Sequence, residues 1–452
     1  MARIDDILQG ELLGQSFDCE CGRRHNVPTR VVDVEPGAID RVPAILSSVS
    51  EARSALVIAD RRTWEAAGGR IDAALGPLIA TDHVLLEDGA DGQLHASVAG
   101  VDRLEAATAD DWDVYVAVGS GTVNDITKEL AHRRRRPYVV VATAASMNGY
   151  TSSIVALLDR GLKTTGPATP PLAVVADPEV LAAAPLELTL AGLGDLVSKP
   201  YCGCDWWIAS LVRGEAYCPQ PQRILGEAFD SSLAVLPRLA GRDPAAVALL
   251  AKLLVVSGMT MTIAGSSSPA SGGEHLLSHY WDMIRSRDGR PLGLHGAQVG
   301  VASLAMDALY ARILDADFAR ARFLPSPGGG AEEELRAAFG SLAEAVLPQW
   351  RAKLARRSER DLELLAAHEA AIKAEIAKVL ATGREVRAAL AGAGAPLWAA
   401  DLGITRTELA AAIRWGRAIR DRYTVLDVAA ELGLLEAFAA DYPDREPGRA
   451  GP

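Results

Sequence analysis

The chain has 452 residues, of which 49% are hydrophobic and 23% charged, and a formal net charge of −12. Its length exceeds one ordinary hydrophobic core and its apolar content excludes a disordered chain, so two folded domains are expected. The acidic balance, with a pI near 5.3, excludes a broad nucleic-acid surface but leaves room for a local basic pocket that takes a small anion.

The opening stretch MARIDDILQGELLG lacks a continuous apolar core, so no secretory leader is expected. Five cysteines, an odd number in a long chain, suit a reducing cytoplasm better than a disulfide framework. Cys19-x-Cys21 with His25, and Cys202-x-Cys204 with Cys218, have ligand chemistry. Their spacing is tighter than that of ordinary zinc motifs and the two groups are far apart in sequence, so they read as buried or unpaired thiols.

HNVPTRVVDVEPGAI alternates enough for an edge strand. Five short runs rich in Val, Ile and Leu follow: SALVIAD, HVLLE, WDVYVAVG, PYVVVAT and LAVVAD. Helix-compatible stretches such as RRTWEAAGGRIDAAL and TVNDITKELAHRR separate several of them. Continuous apolar strands alternating with helices predict a Rossmann-like parallel sheet covered on both faces, an α/β domain over residues 1–185. The basic run at residues 133–136 reads as a solvated helix end.

From Leu186 the strand signals fade and Ala, Leu, Glu and Arg recur at helical spacing. An all-helical domain over residues 186–440 is expected, with a loop at 324–330 and a flexible tail at 441–452. The default site is then the cleft between the two domains. The longest apolar run, 245–264, begins after Asp243-Pro244, a good N-cap and first-turn pair, and predicts a buried helix rather than a membrane span. Trp206 and Trp207 suit helix packing or a subunit contact.

Three motifs carry chemistry. In YVAVGSGTVNDITKEL a strand passes through Gly119, Ser120 and Gly121 into a helix starting near Thr122 and Val123. Free amides at such a turn favour a pyrophosphate, although Gly-x-Gly-x-x-Asn departs from the dinucleotide fingerprint and a purely structural turn stays open. Asp60, at the end of SALVIAD, suits a ribose hydroxyl or a helix N-cap; Arg61 and Arg62 behind it suit a 2′-phosphate, which leaves NADH and NADPH both open. His275 and His279 share a helical face at i and i+4, and His295 follows closely, three of only eight histidines. With Asp195 in AGLGDLVSKP they offer a ligand set with an open position for substrate. Spacing alone favours His275 and His279 as the ligand pair.

The segments GSGTVNDITK, TAASMNGYTSS, GLKTT, AVVADPEVLAAAP, AGLGDLVSK, GGEHLLSH, LHGAQVG and RDRYTVLD run in family order. In them the chain resembles the sn-glycerol-1-phosphate dehydrogenases, within the iron-containing alcohol dehydrogenase and dehydroquinate synthase-like superfamily. FDCECGRRH and the length beyond Arg417 suggest the bacterial branch. The resemblance implies a metal at Asp195, His275 and His295, zinc foremost with nickel or iron as alternatives, and turns His279 toward substrate. It implies NAD(H) or NADP(H) contacts at Gly119, Ser120, Gly121, Thr122, Val123, Thr143, Ala144, Ala145, Ser146 and Ser152. Asp195 and His279 become the catalytic pair.

The implied reaction interconverts dihydroxyacetone phosphate and sn-glycerol 1-phosphate, with Lys163 and Lys199 neutralising the phosphate. Many relatives carry a substrate-contacting aspartate where this chain has Asn148, a poor proton acceptor. Reduction of another small polyol or sugar phosphate, or a metal- and NAD-dependent cyclisation, is therefore the alternative. The intact Asp195, His275 and His295 argue against a non-catalytic binding protein. A cytoplasmic homo-oligomer without membrane span is expected.

Overall fold

In the computed structural model, the five apolar runs become neighbours in one six-stranded sheet; the residues described are 2–89, 92–108, 111–323 and 330–445. The strands are β3 (Val31–Asp33), β4 (Ser54–Asp60), β5 (Ala80–Leu86), β6 (Val114–Gly119), β7 (Tyr138–Ala142) and β10 (Ala173–Ala176). Their order is β3-β10-β7-β6-β4-β5, with every pairing parallel. Strands β6, β7 and β10 are buried at each residue, as a parallel sheet covered on both faces requires. Val57, Val116, Val139 and Val175 pack with Ile39, Leu46, Ile71 and Leu75 from flanking helical segments. The predicted edge strand is β3.

Two hairpins stand outside that sheet. β1 (Ser16–Asp18) pairs with β2 (Arg24–Asn26), and β8 (Ile154–Asp159) pairs with β9 (Leu162–Pro167). The second turns at Arg160-Gly161, with φ of 48° and 83°, the two left-handed residues that a type I′ turn needs.

The chain divides into two compact units, residues 1–196 with 219–267 and residues 197–218 with 268–452. Strands do end before Leu186, but Pro219–Ser267 belongs with the sheet. Helix Pro244–Ala264 packs there against helices Gln220–Ser232, Pro178–Ala183 and Leu186–Leu196. It is long and apolar enough to cross a membrane, yet 83% of its most apolar window is buried in the fold, and Asp243 caps it through Ala245 N.

Arg133 bonds Asp102, Glu105 and Glu129, and Arg134 bonds the Glu105 and Thr108 carbonyls. That helix end is therefore less solvated than its four arginines suggest. Tyr442–Arg445 forms a turn in which buried Tyr442 stacks on Phe438 at 5.0 Å, so structure extends into the expected tail. The rest of that tail, and the expected loop at 324–330 except Gly330, lie outside the described residues.

Chain order reverses beside β4, which has β5 on one side and β6 on the other. In an open parallel sheet the crevice beyond the carboxyl ends at such a switch point takes the ligand. Asp60 and Gly119 end the two strands that flank it. Gly119 has no room for a side chain, because a Cβ there would meet Val123 Cβ at 2.5 Å. Gly192, in helix Leu186–Leu196, is tighter still: its Cβ would lie 1.9 Å from the Ala145 carbonyl oxygen. Gly192→Ala is expected to cost roughly 1–3 kcal/mol or more through overpacking against backbone. Gly226→Ala, at an open helical position, is expected to gain about 0.5–1 kcal/mol. Urea melts of the two variants check the contrast.

Candidate functional site

In the first unit, helix Gly121–Arg134 starts at the switch point without a side-chain cap from Ser120 and without an acidic residue in its first turn. Its leading amides and the positive end of its dipole suit an anion. Thr143 N donates to the Gly119 carbonyl at 3.1 Å, joining the loop after β7 to this turn. Tyr150 OH donates to the Ala144 carbonyl at 2.7 Å. Gly119 through Val123 and Thr143 through Ser146 thus lie along neighbouring strand ends. Ser152 sits apart in role. It is buried, with its hydroxyl 2.7 Å from the Ile154 carbonyl and receiving Lys128 Nζ at 3.1 Å, so it braces the turn.

Lys128 also donates to the Gly149 carbonyl at 2.5 Å, and burial, against the opposing pull of Asp125, lowers its pKa to about 8. No spacing within GSGTVNDITK distinguishes this lysine. Asp60 adopts the N-cap alternative: its Oδ1 accepts Thr63 N at 2.8 Å, and Thr63 Oγ1 accepts Asp60 N at 3.0 Å. Arg62 bonds Asp88 at 2.5 Å.

Asp195, 1% exposed, accepts a hydrogen bond on each carboxylate oxygen, from Asn148 N at 2.9 Å and Asn148 Nδ2 at 3.0 Å. Two donors on two oxygens stabilise the ionised form and fix the plane of the carboxylate. A carboxylate at position 148 has no N–H to give, so the departure from the family pattern supplies Asp195 with a neutral clamp. The clamp is held in turn: Thr151 Oγ1 donates to the Val255 carbonyl at 2.6 Å, and Thr262 Oγ1 to the Thr151 carbonyl at 2.9 Å.

In the second unit the three histidines come together. His275 and His279 lie on helix Gly273–Arg287, and His295 opens helix His295–Leu314. Ring centroids are 5.2 Å apart for His275 and His295, 5.5 Å for His279 and His295, and 6.3 Å for His275 and His279.

Hydrogen-bond direction separates the three rings. Glu274, fully buried, accepts from His275 Nδ1 at 2.8 Å and Gly272 N at 2.7 Å. Burial raises its pKa, but these bonds and the imidazole charge outweigh it and the net shift is downward. Gln298 Nε2 donates to Asp282, so its Oε1 accepts the Ser278 hydroxyl at 2.7 Å; Ser278 Oγ then accepts from His295 Nδ1 at 2.9 Å. Nδ1 is therefore the donor in His275 and His295, and in the neutral ring this leaves the lone pair on Nε2, the state of a metal-ligating imidazole. Arg420, which can only donate, lies 3.5 Å from His279 Nδ1. That leaves His279 with its hydrogen on Nε2, a donor toward substrate.

Glu274, Ser278, Gln298 and Arg420 were not singled out by the sequence. Arg420 is 141 residues from His279, beyond any spacing rule. Burial, followed by the charge of Arg422, lowers its pKa to about 10. Asp205 anchors the start of the histidine helix by accepting Gly273 N and Val425 N, each at 2.8 Å, and Tyr310 OH at 2.5 Å. Burial and then repulsion from Glu274 raise it to about 7.

Lys163 lies on β9 in the first unit. Lys199, in the second, is buried with Nζ 3.1 Å from Ser198 Oγ and 3.4 Å from the Ala270 carbonyl. Trp206 packs as expected, its Nε1 donating to the Ala216 carbonyl at 3.0 Å. Cys202 and Cys204 are buried thiols. Cys19, Cys21, His25 and Cys218 converge, their ligand atoms all within 4.8 Å of one another, although Cys218 is far from the other three in sequence.

The profile of the iron-containing alcohol dehydrogenase family matches residues 33–185. A glycerol-1-phosphate dehydrogenase [NAD(P)+] of Geobacillus stearothermophilus is 31% identical over 429 residues, 94% of this chain and 98% of that one. Its counterpart from Bacillus licheniformis is 29% identical over 94% of this chain and 95% of its own. The crystal structure of glycerol dehydrogenase from Schizosaccharomyces pombe superposes with a TM-score of 0.59 at 15% identity, covering 97% of this chain and 94% of that one. That likeness shows the same fold.

Nitrogen-15 NMR of imidazole-labelled, metal-free protein is expected to report the Nδ1–H tautomer for His295. In Ser278→Ala the acceptor is gone, and a mixture of tautomers is expected. An unchanged spectrum would remove the serine from its orienting role.

Proposed function

The chain belongs to the glycerol-1-phosphate dehydrogenases, and we propose that it reversibly reduces dihydroxyacetone phosphate to sn-glycerol 1-phosphate with NADH or NADPH. The observation that carries this reading is the pinned histidine group. Two imidazoles are held through Nδ1 by fixed partners, and the half-buried Arg420 guanidinium lies 3.5 Å from Nδ1 of the third.

Those donors fit a divalent metal. Glu274 and Ser278 orient the rings from behind, as carboxylate and hydroxyl partners do at metal centres, and the Asp195 carboxylate would supply an oxygen ligand. His275, His295 and Asp195 would hold the ion, which we take as zinc, with nickel or iron as alternatives. When bound, it supplies Lewis-acid polarisation of the substrate carbonyl.

The protein's own residues do the rest. Amides of Gly119, Ser120, Gly121, Thr122 and Val123 receive the dinucleotide pyrophosphate at the helix N-terminus, with Thr143, Ala144, Ala145 and Ser146 alongside. Asp60 caps the next helix through Oδ1, so only its second carboxylate oxygen would serve a ribose hydroxyl at the end of β4. Asn148 holds the Asp195 carboxylate in one plane and acts on substrate through it. His279 donates from Nε2 to a substrate oxygen. Arg420, with Lys163 and Lys199, balances the phosphate; a guanidinium meets phosphate oxygens in bidentate fashion.

The direct test is consumption of NADH or NADPH with dihydroxyacetone phosphate by zinc- or nickel-loaded protein. Metal-dependent turnover to the sn-1 isomer is expected; a metallated protein that does not turn over sinks the proposal. His275→Ala is expected to lose that metal, and His279→Ala to keep it while KM rises. Arg420→Gln removes a charged hydrogen bond, so KM for dihydroxyacetone phosphate should rise roughly 10- to 100-fold, well beyond the change for dihydroxyacetone. Equal changes for the two substrates would take the phosphate away from Arg420.

A further inference from the structure

We propose that Cys19, Cys21, His25 and Cys218 form a structural zinc site that clamps the N-terminal hairpin to the start of helix Gln220–Ser232. Four ligand atoms of three thiols and one imidazole lie within 4.8 Å of one another. A tetrahedral Cys3His zinc has ligand–ligand edges of about 3.5–3.8 Å, so adjustments of about 1 Å bring the set to that geometry. Cys21 Sγ and His25 Nε2 are already 3.2 Å apart, which marks Nε2 as the ligand nitrogen. Three thiolates and an imidazole fill four positions and leave none for substrate, the mark of a structural centre.

The backbone prepares the site. Cys19 N donates to the Arg23 carbonyl at 3.0 Å, and Gly22 N to the Cys19 carbonyl at 2.9 Å. Gly22 at φ 80° lets the chain turn between them. This tight knuckle brings Cys19 and Cys21 to one side with only Glu20 between. The β1–β2 register sets His25 opposite Phe17 and carries it back beside Cys21.

Cys218 arrives from far along the chain, directly before Pro219 and the helix Gln220–Ser232. The same helix is tied to the knuckle by an ion pair of Arg223 with Glu20. Arg23 reaches the Ala264 carbonyl at 3.4 Å. His25 and Cys218 are buried, at 5% and 0% exposure.

Such a site answers a physical need. Two strands of three residues have no core of their own, and an isolated two-stranded ribbon is marginal in water. A zinc(II) ion joining residue 19 to residue 218 supplies the cross-link. Binding displaces three thiol protons to solvent, with no change of oxidation state.

The test uses the full chain purified under reducing conditions and reconstituted with zinc(II) or cobalt(II). Zinc-edge absorption spectroscopy is expected to show a sulfur shell at about 2.3 Å. The cobalt protein should show a thiolate-to-cobalt charge-transfer band, which an aspartate and two histidines cannot produce. The band should persist in His275→Ala and vanish in Cys21→Ser and Cys218→Ser, with the thermal midpoint lowered in both. If the serine variants do not fold, the spectra of wild type and His275→Ala decide. A thiolate band lost in His275→Ala, no sulfur shell in zinc-loaded wild type, or a Cys21–Cys218 disulfide in reduced preparations would overturn the site. Failure of the dehydrogenase assay leaves these signals untouched, so the two proposals fail separately.

Discussion

Helix Leu186–Leu196 reaches the loop after β7 only because Gly192 has no side chain; its Cα faces the Ala145 carbonyl where a methyl would overlap the oxygen. From that contact the rest of the first unit's site follows. Asp195 lies one turn further along the same helix, within reach of both Asn148 donors. Gly258, on helix Pro244–Ala264, repeats the device against Thr151, where a Cβ would fall 2.3 Å from Oγ1. Two bare helix surfaces thus hold one loop from two sides. Close packing of this kind transmits position well, since a packed interior does not deform continuously.

In the second unit, position is set by hydrogen-bond direction rather than by bulk. A hydroxyl has one proton to give, and Ser278 gives it to Gln298 because Gln298 has already turned its amide nitrogen toward Asp282. The chain of choices ends at His295, which is left one tautomer. Glu274 and Arg420 impose opposite tautomers on His275 and His279, though both rings stand on the same helix four residues apart. Identical side chains at helical spacing acquire different chemistry from what stands behind them.

The metal-ligand chemistry at the N-terminal knuckle differs in kind. It consists of thiols and one imidazole, closed on itself, in a part of the chain with short polar strands. The histidine group consists of three imidazoles beside a half-buried arginine. Soft, closed sets stabilise structure, whereas mixed nitrogen and oxygen sets with an open position serve chemistry.

The amino-acid sequence by itself determined the parallel sheet, the phosphate-type turn at Gly119–Gly121 and the buried helix Pro244–Ala264, because each announces itself by local periodicity, composition or spacing. It also revealed the family, since the matching segments keep their order along the chain. The hairpin β1–β2 stayed hidden, its strands being three residues long and mostly polar; β8 does carry an apolar run, IVALLD, but its partner strand LKTTGP has no hydrophobic pattern to mark the pair. Only the tertiary structure decided that Pro219–Ser267 packs with the sheet, that Asn148 clamps Asp195, and that Arg420 stands behind His279. It alone decided that Cys218 meets Cys19, Cys21 and His25. These pairings join residues 47 to 199 positions apart, and no local signal encodes a contact whose partners meet only after the intervening chain has packed.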